Sequence, residues 1–400
     1  WMAEAPGDDQ RLQFGPLPRF LILYGLLYAA FGVASPYLPA FIETRGISTG
    51  QIGLVFATGT AVRLLSAPLA GRIADRWRAR REVVAACAVG GATAALLYLL
   101  VWDFWAILLV SLVQAVALAP LAPLTDALAV VAAHRPRVGF EYGWVRGTGS
   151  AAFIVGSIAV GWAIASFGLP SILLWQAALL LGAAAATALV PEITAEVREG
   201  PAIEREGARV LWHSNVFCKV VLAAALILGS HGMHDTFAMI RWNAAGIGPQ
   251  IAGLLWSMAV VAEVVVFFLI GPALVRRLTP SGCIALAALA GAFRWAVAAV
   301  TADAIVLAVI QPLHGITFAL LHLACMRLIA TYVPVELEAT AQAIYNTVGV
   351  GAATALVMAI SGWLFDWLGG AAFAVMSVLC LLAFPVARSL MRETGSASFR

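Results

Sequence analysis

Ionisable side chains interrupt the long apolar stretches of this chain at only a few positions. Moving a charged group into an apolar medium costs about 3 kcal/mol or more, so each of these residues is a candidate for binding or proton transfer. Imidazoles and carboxylates can take up and release protons, whereas an arginine stays charged and can hold a carboxylate through two hydrogen bonds. The candidates are Arg63, Asp126, Arg146, His231, His234, Asp235, Glu263, Arg294, His314 and His322.

The histidines among them form two groups in the second half of the chain. His231, His234 and Asp235 are spaced so that they share one face of a helix. His314 and His322 are about two helical turns apart on another apolar stretch. His234 and His322 also fit the role of hydrogen-bonded packing residues, and both roles remain open. No second ligand set with metal-binding spacing accompanies the histidines, so we expect no metal and no cofactor.

Glu263 is the main candidate for carrying a proton. An ionised carboxylate without a partner in the middle of an apolar stretch is very unfavourable. Burial favours its neutral form and a neighbouring cation favours its charged form, so such a group can exchange a proton. The pair formed by Asp126 and Arg146 is the rival proton site. The expected proton-coupling residues are Glu263, Asp235, His231, His314 and His322.

An anionic ligand would need a cation within the apolar stretches. Arg63 is the first choice because it lies deepest, and Arg294 is the second. Arg146 can serve the same purpose, or it can pair with Asp126 as a gate or structural bridge. The candidate substrate-binding residues are Tyr24, Tyr28, Arg63, Gln114, Asp126, Arg146, His231, Asp235, Trp256, Arg294 and His314.

The composition excludes a soluble protein. Hydrophobic residues make up 62% of the 400 residues and charged residues only 11%, and the mean hydropathy is +0.94. A spanning helix needs about 20 apolar residues, so the chain has room for about twelve. The net charge of +3 does not indicate nucleic-acid binding, and no soluble-enzyme motif is present. We therefore predict an all-α integral membrane protein that is not an enzyme.

The apolar runs predict where these helices lie. Pro36 and Pro39 bend the first of them, and Pro120 and Pro123 interrupt the fourth. The polar interval 191–214 separates two halves, which predicts six-helix bundles at residues 1–190 and 215–400 joined by a cytoplasmic linker. Numbered helix 1 to helix 12, the predicted helices cover about 20–41, 52–70, 83–101, 106–132, 144 onward, 172–189, 216–240, 251–275, 282–300, 304–330, 339–365 and 370–391.

A strongly basic loop is predicted at residues 71–81, between helices 2 and 3. Short loops rich in arginine remain on the cytoplasmic side of a membrane. We therefore expect both termini and the linker to be cytoplasmic, in a bacterial inner membrane. Further arginines on the same side are Arg276, Arg277, Arg388 and Arg392.

The two halves of the chain repeat each other weakly. After a shift of half the chain length, Gly53 falls on Gly253, and Gly161 falls one place from Gly362. By the same shift Glu263 repeats the position of Arg63. Two similar halves in parallel orientation are typical of one large class of transporters.

The loop 71–81 resembles the loop 2–3 signature of the major facilitator superfamily, although Arg78 stands where that family usually has glycine. The resemblance implies twelve helices in two six-helix halves, with the loop acting in conformational change. The residues that carry the signature are Gly71, Asp75, Arg76, Arg80 and Arg81.

Other motifs resemble the phenylpropionate-permease branch of this superfamily, and together they cover nearly the whole chain. That branch is similar to lactose permease and the nucleoside symporters, which are proton-coupled. Asp235 departs from the branch, which tends to have an aromatic or neutral residue there. The matching motifs are Pro36-Tyr37-Leu38-Pro39, Pro123-Leu124-x-Asp126-Ala127, Gly229-Ser230-His231, Trp242, Gly253-Leu254-Leu255-Trp256, Ala262-Glu263, Arg294-Trp295, Gln311-x-Leu313-His314-Gly315-x-Thr317-Phe318 and Ala341-Gln342-x-x-Tyr345.

The residues and the resemblance together predict a monomeric, proton-coupled symporter of a small organic solute, an aromatic or other monocarboxylate. The solute would bind near the middle of the bilayer between the halves, with alternating access to the two sides. The alternatives on the same fold are a transporter of a neutral solute (a nucleoside or sugar) and an exporter of drugs or siderophores. A membrane-embedded enzyme and a membrane sensor are the alternatives of other classes.

Overall fold

The computed structural model describes residues 15–134, 139–191 and 205–397, and within these ranges the chain is helical with no β-strand. Ten described segments are long and apolar enough to cross a membrane. One of them, Val335–Thr394, contains two helices and crosses twice. Arg80–Leu97 adds a further crossing, although three charged residues in its first turn lower its hydropathy. The described residues thus form twelve membrane-spanning helices in two pseudo-symmetric six-helix bundles.

The observed helices agree with the predicted ones to within a few residues at most ends. Helix 7 follows a short helix, Arg205–His213. Helices 1 to 6 are Pro16–Ala34 with its continuation Leu38–Glu43, Thr49–Trp77, Arg80–Leu97, Phe104–Ala133, Tyr142–Phe167 and Ser171–Leu189. Helices 7 to 12 are Asn215–Ala244, Pro249–Leu278, Pro280–Val300, Ala304–Tyr332, Glu338–Ile344 continued by Tyr345–Ala352 and Ala353–Leu368, and Phe373–Ala397.

Residues 192–204 of the predicted linker lie outside the described residues, and so does the chain before residue 15. The division into residues 1–190, 191–214 and 215–400 therefore stays a prediction.

The loop between helices 2 and 3 is shorter than the sequence predicts. Helix 2 continues to Trp77, so the residues from Gly71 onward are helical, and the loop is reduced to Arg78 and Ala79. Arg78 adopts the left-handed conformation (φ 51°) that commonly ends a helix. The prediction was wrong here because arginines tolerate a helix well once it has left the membrane.

A salt bridge closes this short turn. Asp75 Oδ1 lies 2.6 Å from Arg80 Nε, which ties the end of helix 2 to the start of helix 3. Arg81 Nη1 donates to the carbonyl of Val190 at the end of helix 6, at 3.4 Å. Gly71 has no atom within 4 Å of where a Cβ would stand. The signature residues therefore fasten three helix ends together at one end of the molecule.

Polar caps, proline breaks and π-turns shape several of the helices. Asp103 and Asp303 cap helices 4 and 10 by accepting backbone N–H bonds, each cap stabilising its helix by about 1 kcal/mol. Pro120 interrupts helix 4, and Pro312 interrupts helix 10 closer to the start of that helix. Helices 8, 10 and 11 contain wider π-turns at 266–270, 316–320 and 345–352. Such turns are frequent at functional sites because they redirect side chains.

The two halves meet through helix pairs 2–11 and 5–8. We call the end with loop 71–81 the basic end, and the other the opposite end. Close to the opposite end, Tyr37 donates to the carbonyl of Pro249 at 2.8 Å. Toward the basic end, residues 266–278 of helix 8 and Glu338–Ile344 of helix 11 make no comparable contact with the first half within the described residues. The molecule is therefore closed at the opposite end and open at the basic end.

Candidate functional site

A cavity of about 410 Å³ lies between the two halves, near the middle of the spanning helices. Both halves contribute to its wall, which mixes aromatic, aliphatic and ionisable side chains. The polar and aromatic residues that line it are Ser35, Phe56, Thr60, Arg63, Gln114, Gln176, His231, His234, Asp235, Trp256, His314, Phe318 and Thr354.

Arg63 supplies the positive charge of the first-half wall. It lies at the centre of helix 2 and is exposed to the cavity. Within the described residues its guanidinium has neither an acidic partner nor a hydrogen bond. Gln114 and Gln176 complete the polar part of this wall, joined by an amide hydrogen bond of 3.2 Å. A carboxylate in the cavity would thus meet a cation that no group among the described residues already neutralises.

Helix 7 presents two histidines and an aspartate to the same cavity. His231 and His234 are 5% and 6% exposed, and the Asp235 side chain is 42% exposed. The ring of His234 stacks on Trp256 with centroids 5.0 Å apart. The helix is broken next to these residues, at Ser230, whose hydroxyl accepts a hydrogen bond from the Trp295 indole at 2.8 Å. The break and the hydrogen bond between Ser230 and Trp295 orient the part of helix 7 that carries His231 and His234.

His314 is held between a buried arginine and a carboxylate. Arg294 is fully buried, donates through Nη2 to Gln311 Oε1 at 2.8 Å, and places Nη1 3.2 Å from His314 Nδ1. A guanidinium can only donate, so Nδ1 must carry a lone pair and the imidazole proton lies on Nε2. Nε2 faces Glu263 Oε2 at 3.5 Å. A neutral His314 therefore presents an N–H to Glu263.

The remaining candidate residues of the second half lie next to His314 and Glu263. His231 packs against His314 with ring centroids 5.0 Å apart. His322 lies 3.5 Å from the Tyr345 hydroxyl, on the basic-end side of Glu263 and His314. Glu263 is one helical turn beyond Ala259, which lines the cavity, and its side chain is 28% exposed. The carboxylate is therefore placed between the cavity and the open end.

A second polar cluster lies in the first half, nearer the basic end. Tyr24 donates to Asp126 Oδ1 at 2.5 Å, and Arg146 Nη1 donates to the Tyr28 hydroxyl. Arg146 Nη1 is 3.8 Å from Asp126 Oδ1, and the two tyrosine rings stack with centroids 5.6 Å apart. None of these four residues lines the central cavity. Their charges are largely satisfied by one another, as expected of a structural bridge or a separate proton site.

The structure thus divides the predicted binding residues into three sets. Arg63, Gln114, His231, Asp235, Trp256 and His314 share the cavity. Arg294 lies behind its wall, with its guanidinium occupied by Gln311 and His314. Tyr24, Tyr28, Asp126 and Arg146 form the separate cluster.

Sequence reasoning did not single out several residues of the wall, among them Phe56, Thr60, Gln176 and Thr354, and it left the role of His234 open. Gln176 was not singled out, although a glutamine in the apolar run of helix 6 is the same kind of signal as Gln114 in helix 4. His234 was left between packing and function, and the structure gives it both a stacked ring and a place in the cavity. In both cases the missing information was the rotation of the helix.

Comparison with known sequences identifies the family. Residues 17–395 match the family described as "MFS_1 like family". The chain belongs to this family. It is a transporter of the major facilitator superfamily, and the protein is not an enzyme.

Curated relatives cover the chain almost completely. A "Probable 3-phenylpropionic acid transporter" of Escherichia coli (strain K12) is 31% identical over 383 residues, which are 91% of this chain and 96% of the relative. The "Maltose permease" of Geobacillus stearothermophilus is 24% identical over 380 residues, 94% of this chain and 95% of the relative. These two relatives are named for chemically different solutes, an aromatic acid and a sugar.

A solved structure supports the fold. The crystal structure of nucleoside transporter NupG superposes with a TM-score of 0.81 at 19% identity, covering 94% of this chain and 98% of that one. At this identity the match shows the fold alone.

Proposed function

We propose that the protein is a proton-coupled symporter of an aromatic monocarboxylate. The observation that carries the proposal is Arg63, a cation without a protein partner among the described residues, in a cavity whose wall includes Phe56, Trp256 and Phe318. A carboxylate would pair with the guanidinium, and the ring would contact the aromatic wall. The cavity volume of about 410 Å³ falls in the range of small-molecule sites. The relative from Escherichia coli, a probable 3-phenylpropionic acid transporter, supports the same substrate class.

Proton coupling is assigned to Glu263 together with His314. When Glu263 is ionised, the N–H on His314 Nε2 can donate to it after a small movement from the present 3.5 Å. When Glu263 is protonated, that attraction weakens and helix 8 is freer to move relative to helix 10. A switch of this kind can bias the conformations that face the two sides of the membrane. Asp235, His231 and His322 are the neighbouring groups through which the proton would reach or leave the pair.

Placement in the membrane follows from the arginine distribution. With the basic end in the cytoplasm, both termini and the linker are cytoplasmic, the protein lies in a bacterial inner membrane, and the observed conformation faces inward. We propose that the protein acts as a monomer, since the residues that line the cavity all belong to one chain and transport would need no second copy.

The proposed orientation predicts which positions a membrane-impermeant thiol reagent can reach from outside intact cells. Ala195→Cys in the linker should be labelled only after permeabilisation, and Asn243→Cys at the opposite end of helix 7 should be labelled without it. Both variants are made in a background in which Cys87 and Cys218 are replaced by serine. Labelling of Ala195→Cys from outside intact cells would reverse the proposed orientation.

The carboxylate proposal predicts that Arg63→Gln weakens binding of 3-phenylpropionate by about ten- to a hundredfold, because a hydrogen bond to a charged group contributes about 1.5–3 kcal/mol. Isothermal titration of the purified protein in detergent measures the affinity. Arg63→Lys keeps the charge but loses the two parallel hydrogen bonds of a guanidinium, so its affinity should lie between those of the wild type and Arg63→Gln. If Arg63→Gln and Arg294→Gln both bind the acid as the wild type does, neither arginine holds a carboxylate and the proposed role of Arg63 is wrong.

A neutral solute is the second candidate, favoured by the amide pair formed by Gln114 and Gln176 on the cavity wall. These amides could bind hydroxyl groups or a nucleobase without any charge on the solute. A nucleoside or sugar would then leave Arg63 without an anionic partner. Unchanged binding of such a solute to Arg63→Gln, together with no binding of 3-phenylpropionate to the wild type, would favour this candidate over the first.

A further inference from the structure

Asp235 is a carboxylate in the cavity that an aromatic monocarboxylate would not use. Its side chain is 42% exposed, and it lines the cavity on the second-half wall, whereas Arg63 lines it on the first-half wall. Its only hydrogen-bond partner within the described ranges is His234 Nδ1, at 3.4 Å. This distance is longer than a normal N–H···O bond. Most of the acceptor capacity of Asp235 therefore faces the cavity.

The neighbouring histidine does not cancel the charge of Asp235. His234 is 6% exposed, and its Nε2 is buried with no hydrogen-bond partner among the described residues. A doubly protonated ring would carry an unpaired N–H and a positive charge into that position, which is very unfavourable. A neutral ring with its proton on Nδ1 can donate to Asp235 and leaves only a lone pair buried. His234 is thus neutral in this arrangement and forms no ion pair with Asp235.

This exposed carboxylate on the cavity wall makes a simple aromatic acid an incomplete ligand. A substrate whose only polar group is its carboxylate can pair with Arg63, but it brings an apolar ring against Asp235 and removes water from it. Leaving a charged group without a hydrogen bond costs more than an unmade neutral bond. A substrate that carries a hydrogen-bond donor away from its carboxylate would pair with both walls. The stacked rings of His234 and Trp256 lie beside Asp235 and provide a surface for the aromatic ring of the substrate.

We infer that the substrate is an aromatic carboxylate with a hydroxyl or amino group at the end of the ring farthest from the carboxylate. Asp235 selects this hydrogen-bond donor. The inference rests on the proposed function, because it assumes that Arg63 holds the carboxylate. Asp235 is then the residue that distinguishes this chain's substrate from 3-phenylpropionate itself.

The test compares three ligands on the purified full-length protein by isothermal titration: 3-phenylpropionate, its para-hydroxyl derivative and its para-aminomethyl derivative. Wild-type protein should bind at least one donor-bearing ligand about tenfold or more tightly than 3-phenylpropionate. Asp235→Leu should lose this preference, because the acceptor is gone. Asp235→Asn, which is nearly isosteric and keeps one acceptor oxygen, should retain part of it for the hydroxyl derivative. Asp366→Leu is the matched control, because it removes an exposed carboxylate at the opposite end of helix 11 and should keep the wild-type preference.

The outcomes separate this inference from the proposed function. If 3-phenylpropionate binds the wild type as tightly as both derivatives, the inference is overturned while the carboxylate proposal stands. If none of the three acids binds, the proposed function itself fails. A tighter hydroxyl derivative identifies a neutral donor, and a tighter aminomethyl derivative identifies a cationic one. If Asp235→Leu does not fold, the wild-type comparison still tests the donor preference, and Asp235→Asn tests whether Asp235 is responsible for it.

Discussion

Glu263→Gln is expected to abolish accumulation of substrate against its gradient while leaving substrate binding intact. Glutamine keeps the size of the side chain but cannot gain or lose a proton, so the pair with His314 can no longer follow the protonation state. In proteoliposomes, a pH difference of about one unit supplies about 1.4 kcal/mol, enough for about tenfold accumulation with one proton per substrate. The variant should bring the substrate only to equal concentrations on both sides. It should still exchange labelled for unlabelled substrate.

Asp126→Asn is the matched control, because it makes the same kind of change in the first-half cluster. Asp126 is bonded to Tyr24 and lies 3.8 Å from Arg146, outside the central cavity. This variant should keep gradient-driven accumulation, although a weakened cluster can lower its rate. If Glu263→Gln still accumulates substrate uphill and Asp126→Asn does not, the proton is carried in the first half of the chain.

The helices could be predicted from the sequence because the membrane imposes simple rules. An apolar run of sufficient length has to form a helix, since no other local structure satisfies its backbone hydrogen bonds in lipid. The predicted ends were less accurate where a helix leaves the membrane, as the continuation of helix 2 to Trp77 shows. Beyond the bilayer, helix length is set by local capping, such as the left-handed Arg78 and the bond between Asp75 and Arg80.

The candidate site could be predicted only as a set of residues, because depth in the membrane does not give the direction in which a side chain points. Arg63 and Arg294 both lie well inside apolar runs, yet Arg63 faces the cavity and Arg294 is bonded behind its wall. Asp126 and Arg146 are near each other, as one interpretation of the sequence held. Which polar residues share a cavity depends on helix rotation and on breaks such as that at Ser230, and one sequence does not reveal either.

The weak internal repeat acquires a structural meaning at the opposite end. Gly53 and Gly253, which repeat each other, each lie where a Cβ would touch a backbone oxygen of the other half: Met358 O at 2.7 Å for Gly53 and Ser157 O at 2.5 Å for Gly253. A Cβ on Gly161 would stand 2.6 Å from Pro249 O, and a Cβ on Gly362 would touch the backbone oxygen of Thr49. Four repeated glycines therefore form two symmetric crossing points between the halves. Small residues at such crossings let helix backbones approach closely.

Gly161→Val is therefore expected to prevent closure of the opposite end and to reduce transport severely. The added carbons would collide with the backbone of helix 8 at Pro249, and backbone atoms can move away only if helices 5 and 8 separate. A Leu38→Cys reporter measures this, because Leu38 is 8% exposed and lines the cavity next to the closed end. In the background without Cys87 and Cys218, an impermeant maleimide added at the opposite end should label the reporter several-fold faster in Gly161→Val than in the parent.

Gly143→Val provides the control on the same helix. Gly143 is exposed, and a built Cβ would have no atom within 4 Å apart from its own helix backbone and chain neighbours, so the substitution adds the same side chain to helix 5 without touching the other half. Its reporter labelling and its transport should match those of the parent. Both variants are first checked for membrane insertion and for a single peak in gel filtration, which separates a blocked conformation from misfolding. Parental labelling and transport in a well-folded Gly161→Val would show that close approach at this crossing is not required for closure of the opposite end.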